Sequence, residues 1–216
     1  MAELCLRCFI SSQIEQVCAQ IATQFGGKHG FNRHDLFPYV LEDDGRSRQR
    51  AYKPFSIKIL ETFDLERGSL NSWTTRRVKH HRELNAFLLE RGVYLVSDWA
   101  VLNDTSPKQL QRIFSEFYGL SVVEIQQACI LLESYHVVYR RDCLLQRGVG
   151  SKGKCLPPTV NQLQQIPHLF QEKANLQFSP EGIMTRLQNV AKHLRQYRIS
   201  VRGGCPSKES LDDGEK

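Results

Sequence analysis

The chain has 216 residues, of which 41% are hydrophobic and 24% charged, enough apolar material to bury a core as one large domain or two small ones. Its net charge of +6 favours an anionic partner, nucleic acid before an acidic membrane surface. No apolar run approaches the roughly 18 residues of a membrane span, and Met1–Cys8 lacks the basic start of a secretory signal, so a cytoplasmic protein is expected.

Residues 3–25 carry Leu4, Cys8, Ile10, Ile14, Val17, Cys18, Ile21 and Phe25 mostly at three- and four-residue steps, which predicts a helix ended by Gly26-Gly27. On that helix Cys5 and Cys8 would share a buried face. Seven scattered cysteines do not form a disulfide framework, and core thiols are expected with no metal and no cofactor. Asn32 is placed to cap a short helix through His34–Phe37, with Pro38 in its first turn. The stretch 42–50 has no apolar residue and reads as an exposed loop in which Asp43-Asp44 lacks a partner. Pro54 opens the next helix, with Phe55, Ile57, Ile59, Leu60 and Phe63 towards the core.

The segment from Phe63 to Gly92 is the most informative. After the turn signal Glu66-Arg67-Gly68-Ser69 it takes on helical spacing, and between Leu70 and Arg82 it holds four Arg or Lys residues and no acid. Trp73 stands one turn ahead of Arg76, Arg77, Lys79, His80 and Arg82. A charge run is often only a solvated helix face. An aromatic ring among the cations adds what single-stranded nucleic acid requires, since phosphates take the charge and an unstacked base takes the ring.

Val93–Val96 reads as a buried helix or an extended connector, including Trp99. Further on, Ser106-Pro107-x-Gln109, Ser121-x-x-Glu124 and Thr159-x-x-Gln162 have the order of a capping box, and Ser179-Pro180-Glu181 opens a last helix. Leu110, Ile113 and Phe114 make one amphipathic helix. Gly119-Leu120 makes a turn, and Val123, Ile125, Ala128, Leu131 and Leu132 a longer helix, so 107–141 is a helical hairpin and a candidate helix-turn-helix. The last helix adds cations around its stripe, Arg195 and Arg198 among them, where the helix dipole also favours them. Nowhere does the sequence set a nucleophile beside a base, or metal ligands at ligand spacing. No catalysis is expected.

Phe63-Asp64-x-x-x-Gly68-Ser69-Leu70-x-x-Trp73 followed by basic residues resembles the part of bacterial sigma factors that melts and holds the upstream promoter element. Asp35-Leu36 matches the acidic–leucine pair that grips RNA polymerase in that family, and Pro157-Pro158-Thr159-x-x-Gln162-Leu163-x-x-Ile166 is similar to the opening of the next sigma region. The likeness is to regions 2 and 3, in a divergent or partial protein of cyanobacterial type. It implies promoter-like DNA, in part single-stranded, and RNA polymerase core as partners. Trp73 would stack on an unpaired base, while Arg76, Arg77, Lys79 and Arg82 contact the melted strand.

The expected architecture is all-α: a multi-helix sigma region 2-like domain over 1–104, a hairpin over 105–145, a basic flexible linker over 146–158, a region 3-like hairpin over 159–202 and a disordered tail over 203–216. The expected function is sequence-dependent DNA binding in transcription, carried by Trp73, Arg76, Arg77, Lys79, His80, Arg82, Arg195 and Arg198. The alternative is a helical adaptor or antagonist that binds RNA polymerase or another protein.

Overall fold

A computed structural model describes residues 2–43, 53–147 and 155–205, the side chains of 143–147 excepted. The bulk of the 42–50 loop, the centre of the 146–158 linker and the tail beyond 205 lie outside the described residues. The fold is all-α, with no strand among the described residues. It divides into two compact units, Met1–Leu95 with Arg202–Lys216 and Val96–Val201. The helix over 98–104 and both hairpins therefore belong to a single unit.

The first unit is built around α1, Ala2–Ile21, which runs on through a π turn at Ala22–Gly26 and a last turn at Gly27–His29. The expectation that Gly26-Gly27 ends the helix is corrected here: both glycines are right-handed helical, and Gly30 at φ 67° ends it. Gly26 is there for a close approach. A Cβ on it would stand 2.2 Å from the Phe31 carbonyl oxygen, where the chain doubles back. The buried face of α1 is Arg7, Ile10, Ile14, Val17, Cys18 and Ile21. Cys5 and Cys8 are exposed, against expectation, because the phase that buries Ile10 and Ile14 turns Arg7 inward and both thiols outward.

Arg7 is buried because it has a partner. Its guanidinium takes both oxygens of Asp43, with the Nε contact at 3.0 Å, and the Ser56 hydroxyl donates to the same carboxylate. Both charged side chains are 6% exposed. Asp43 is thus no partnerless loop residue. It pins α1 to the start of α3 (Phe55–Glu61), which opens behind Pro54. Between them Asn32 and Asp35 form a reciprocal capping box, Leu36 is fully buried, and α2 (Phe37–Val40) carries Pro38 in its first turn.

The second unit starts after the irregular connector Val93–Val96, with Ser97 capping α6, Asp98–Asp104. Trp99 is buried there. Ser106 and Gln109 form the capping box of α7, Pro107–Glu116. Gly119 at φ 61° allows the Leu120 amide to reach back to the Phe114 carbonyl at 3.1 Å, which closes the helix end. Ser121 and Glu124 then open α8, Val122–Arg147, and three hydrogen bonds to the Ser121 pair hold the Glu124 carboxyl below its usual range. Val123 was expected to face the core but is 62% exposed. Tyr135, Val138 and Tyr139 are buried where α8 packs on α9 (Val160–Ala174, capped by Thr159 and Gln162) and α10 (Pro180–Ser200, capped by Ser179).

Candidate nucleic-acid interface

The basic segment is two helices, not one. Gly68, at φ 132°, lets Ser69 cap α4 (Leu70–Lys79), with the Ser72 amide donating to Ser69 Oγ at 3.2 Å. The helix stops at His80. His81 turns extended and caps α5 (Arg82–Glu90), its Nδ1 accepting from the Leu84 amide at 3.4 Å. Asn85 straps the joint by donating from one nitrogen to the Lys79 carbonyl at 2.8 Å and the His81 carbonyl at 2.7 Å. Charge follows the same break. Arg76, Arg77 and Lys79 lie in the last turn of α4 and Glu83 in the first turn of α5, each suited to its helix dipole.

Thr74 and Val78 are the buried side of α4, and Leu84 and Leu88 that of α5. Fully burying a leucine contributes about 2 kcal/mol, so the corner is anchored chiefly by α5. With about 3.6 residues per turn, Trp73, Arg76 and Arg77 fall within about 100° on the flank of α4 away from Val78, and Lys79 lies one step further round. Arg76, Arg77, Lys79, His80 and Arg82 are all exposed. None of them is in an ion pair with a described acidic residue. Other cations of the unit are, with Lys53 on Glu61, Arg67 on Asp64 and Arg7 on Asp43.

Trp73 sits at the rim of the core, half-buried. The Arg76 guanidinium carbon lies 4.4 Å from the centroid of its ring, and Phe63 meets it edge-on at 6.3 Å. The indole Nε1 is buried without a hydrogen-bond partner among the described groups, so the ring is held by packing and by the cation rather than by a polar tether. Phe63 and Asn85 are the functional neighbours that the sequence reading missed. Phe63 was assigned to the core, and nothing in the spacing marks Asn85.

Arg195 and Arg198 lie elsewhere, in the second unit, and both reach α6. Arg195 pairs with Asp98, its Nε at 3.2 Å, and Arg198 pairs with Asp104 at 3.0 Å and donates to Thr105 Oγ1 at 3.1 Å. The structure does not bring them to the α4–α5 corner. The exposed first turn of α8 carries Val122, Val123, Glu124 and Gln126, with no cation for a groove.

The corner is also sensitive to acid. His81 must be neutral to accept at Nδ1, and burial, before any neighbouring charge, lowers its pKa from the ordinary 6.5. His136 in the second unit donates from Nε2 to the Leu102 carbonyl at 2.9 Å and is likewise lowered by burial. A histidine whose folded pKa lies below its unfolded value binds more protons when unfolded, so stability is complete above about pH 6.5 and falls as pH drops below it. Thermal melts by circular dichroism between about pH 7.5 and 5.5 should show a falling midpoint. His81→Asn, which keeps a capping oxygen without a titrating ring, should reduce that fall.

Among the described residues no helix is long and apolar enough to cross a membrane. No family model, curated protein or solved structure matches the chain.

Proposed function

We propose that this chain is a non-catalytic, cytoplasmic DNA-binding protein of transcription, sigma factor-like, that holds a separated promoter-like strand on its α4–α5 corner. One observation carries the reading. Arg76, Arg77, Lys79 and Arg82 stand exposed and free of described acidic partners around an indole ring whose accessible side is covered only by an arginine. A base stacking on Trp73 gains contact area that a duplex cannot offer, and the flanking cations release counterions from its phosphates. Sequence dependence would come from the base on the ring and its neighbours at His80 and Arg82.

RNA polymerase core is the second partner in this reading. Leu36 is buried and Asp35 accepts from the Asn32 amide at 2.8 Å, so a contact there would use the polar surface of that turn rather than the leucine side chain. The adaptor reading has its own support in Phe117, Val122 and Val123, which are 45%, 80% and 62% exposed around the α7–α8 turn.

Fluorescence anisotropy with labelled single- and double-stranded DNA across a salt series decides between them. The expected result is tighter binding of the single strand, with log affinity falling linearly against log salt. Equal affinity for the duplex, or no binding at low salt, would leave the adaptor.

A further inference from the structure

We propose that Cys5 and Cys8 are half of a tetrahedral zinc site that a second copy of this chain completes. Cysteine is among the residues most often buried, yet both of these are exposed and share the solvent face of a helix whose opposite side is locked into a core. Three residues apart on a helix, their Cβ atoms stand about 5–6 Å from each other. Two sulfurs bound to one zinc at about 2.3 Å stand about 3.8 Å apart, which the Cβ–Sγ bonds can close without moving the backbone.

Structural zinc takes four ligands, and one chain does not supply them: among the described residues no group of three or more His, Cys, Asp or Glu gathers around a point. The same stretch of α1 explains where the other two come from. Leu4, Leu6 and Phe9 flank the thiols and are 45%, 44% and 44% exposed, an apolar collar on both sides of the pair. A two-fold axis through the metal lays one collar against its copy and presents Cys5 and Cys8 from each chain, an isologous interface that satisfies both features at once. Four thiols lose four protons, the four thiolates bind one zinc ion, and nothing is oxidised or reduced.

The test uses the full chain, reduced and freed of metal. Cobalt(II) is titrated in as the spectroscopic probe and zinc in parallel, with mass followed by light scattering. The expected result is thiolate-to-cobalt absorption that saturates at one metal per two chains while the mass doubles, both reversed by chelator. Cys5→Ser and Cys8→Ser each lose the absorption and the dimer with an unchanged circular dichroism spectrum, while Cys205→Ser, also at an exposed thiol, keeps both. Saturation at one metal per monomer, absence of the absorption, or a dimer that survives chelator and reductant overturns the proposal. So does a dimer that reductant alone dissolves, which would be a disulfide.

Discussion

Replacing Arg76, Arg77 and Lys79 together by alanine lowers the affinity for single-stranded DNA by at least about 100-fold at low salt and flattens the salt dependence by about two in log–log slope, at about 0.7 per phosphate contact. The three side chains are exposed and engage no described acid, so the folded unit loses little with them. Circular dichroism and the melting temperature should stay close to those of the parent chain. That separation is what makes the result informative, because lost binding cannot then be a fold effect. It also distinguishes the corner from Arg195 and Arg198, whose removal would strip Asp98 and Asp104 of their partners and register first as reduced stability of the second unit.

The other large effect is structural. Asp43→Ala leaves the Arg7 guanidinium almost completely buried without its counter-charge and removes the acceptor of the Ser56 hydroxyl. Breaking a buried pair from one side costs about 3–5 kcal/mol, whereas replacing both members by apolar groups of similar volume is often neutral. Asp43→Ala should therefore lower the melting midpoint of the first unit by more than about 10 °C. The double replacement Arg7→Met with Asp43→Leu should recover most of that loss. A single variant that melts within about 0.5 kcal/mol of the parent would show that the pair is solvated and contributes little.

What could be read from the sequence was what is decided within one helical turn. Ser106 with Gln109, Ser121 with Glu124, Thr159 with Gln162 and Asn32 with Asp35 cap helices where expected, because donor and acceptor lie three residues apart. The grouping of Trp73 with Arg76 and Arg77 was legible for the same reason. The break at His80-His81 was not, since neither glycine nor proline marks it. A histidine nitrogen and the Asn85 amide make it, and both read equally well as helix-face residues. Gly26-Gly27 misled in the opposite direction, offering a stop signal that serves instead to admit the Phe31 carbonyl.

The remaining differences come from pairings over long stretches of chain. Asp43 lies 36 residues from Arg7, and Asp98 lies 97 residues from Arg195, distances over which spacing carries no information. Arg7 is the instructive case. A charged residue on the buried side of α1 rotates the expected face, and with it the assignment of Cys5 and Cys8 from core to surface.

The reading of the α4–α5 corner is tested most directly by the emission of Trp73 itself, followed in a Trp99→Phe chain so that no other indole reports. Addition of an unlabelled single strand should quench it in a saturable titration that high salt reverses, as a base takes the place of the Arg76 guanidinium over the ring. Emission that stays constant while anisotropy reports bound DNA would place the strand elsewhere on the protein and contradict the account.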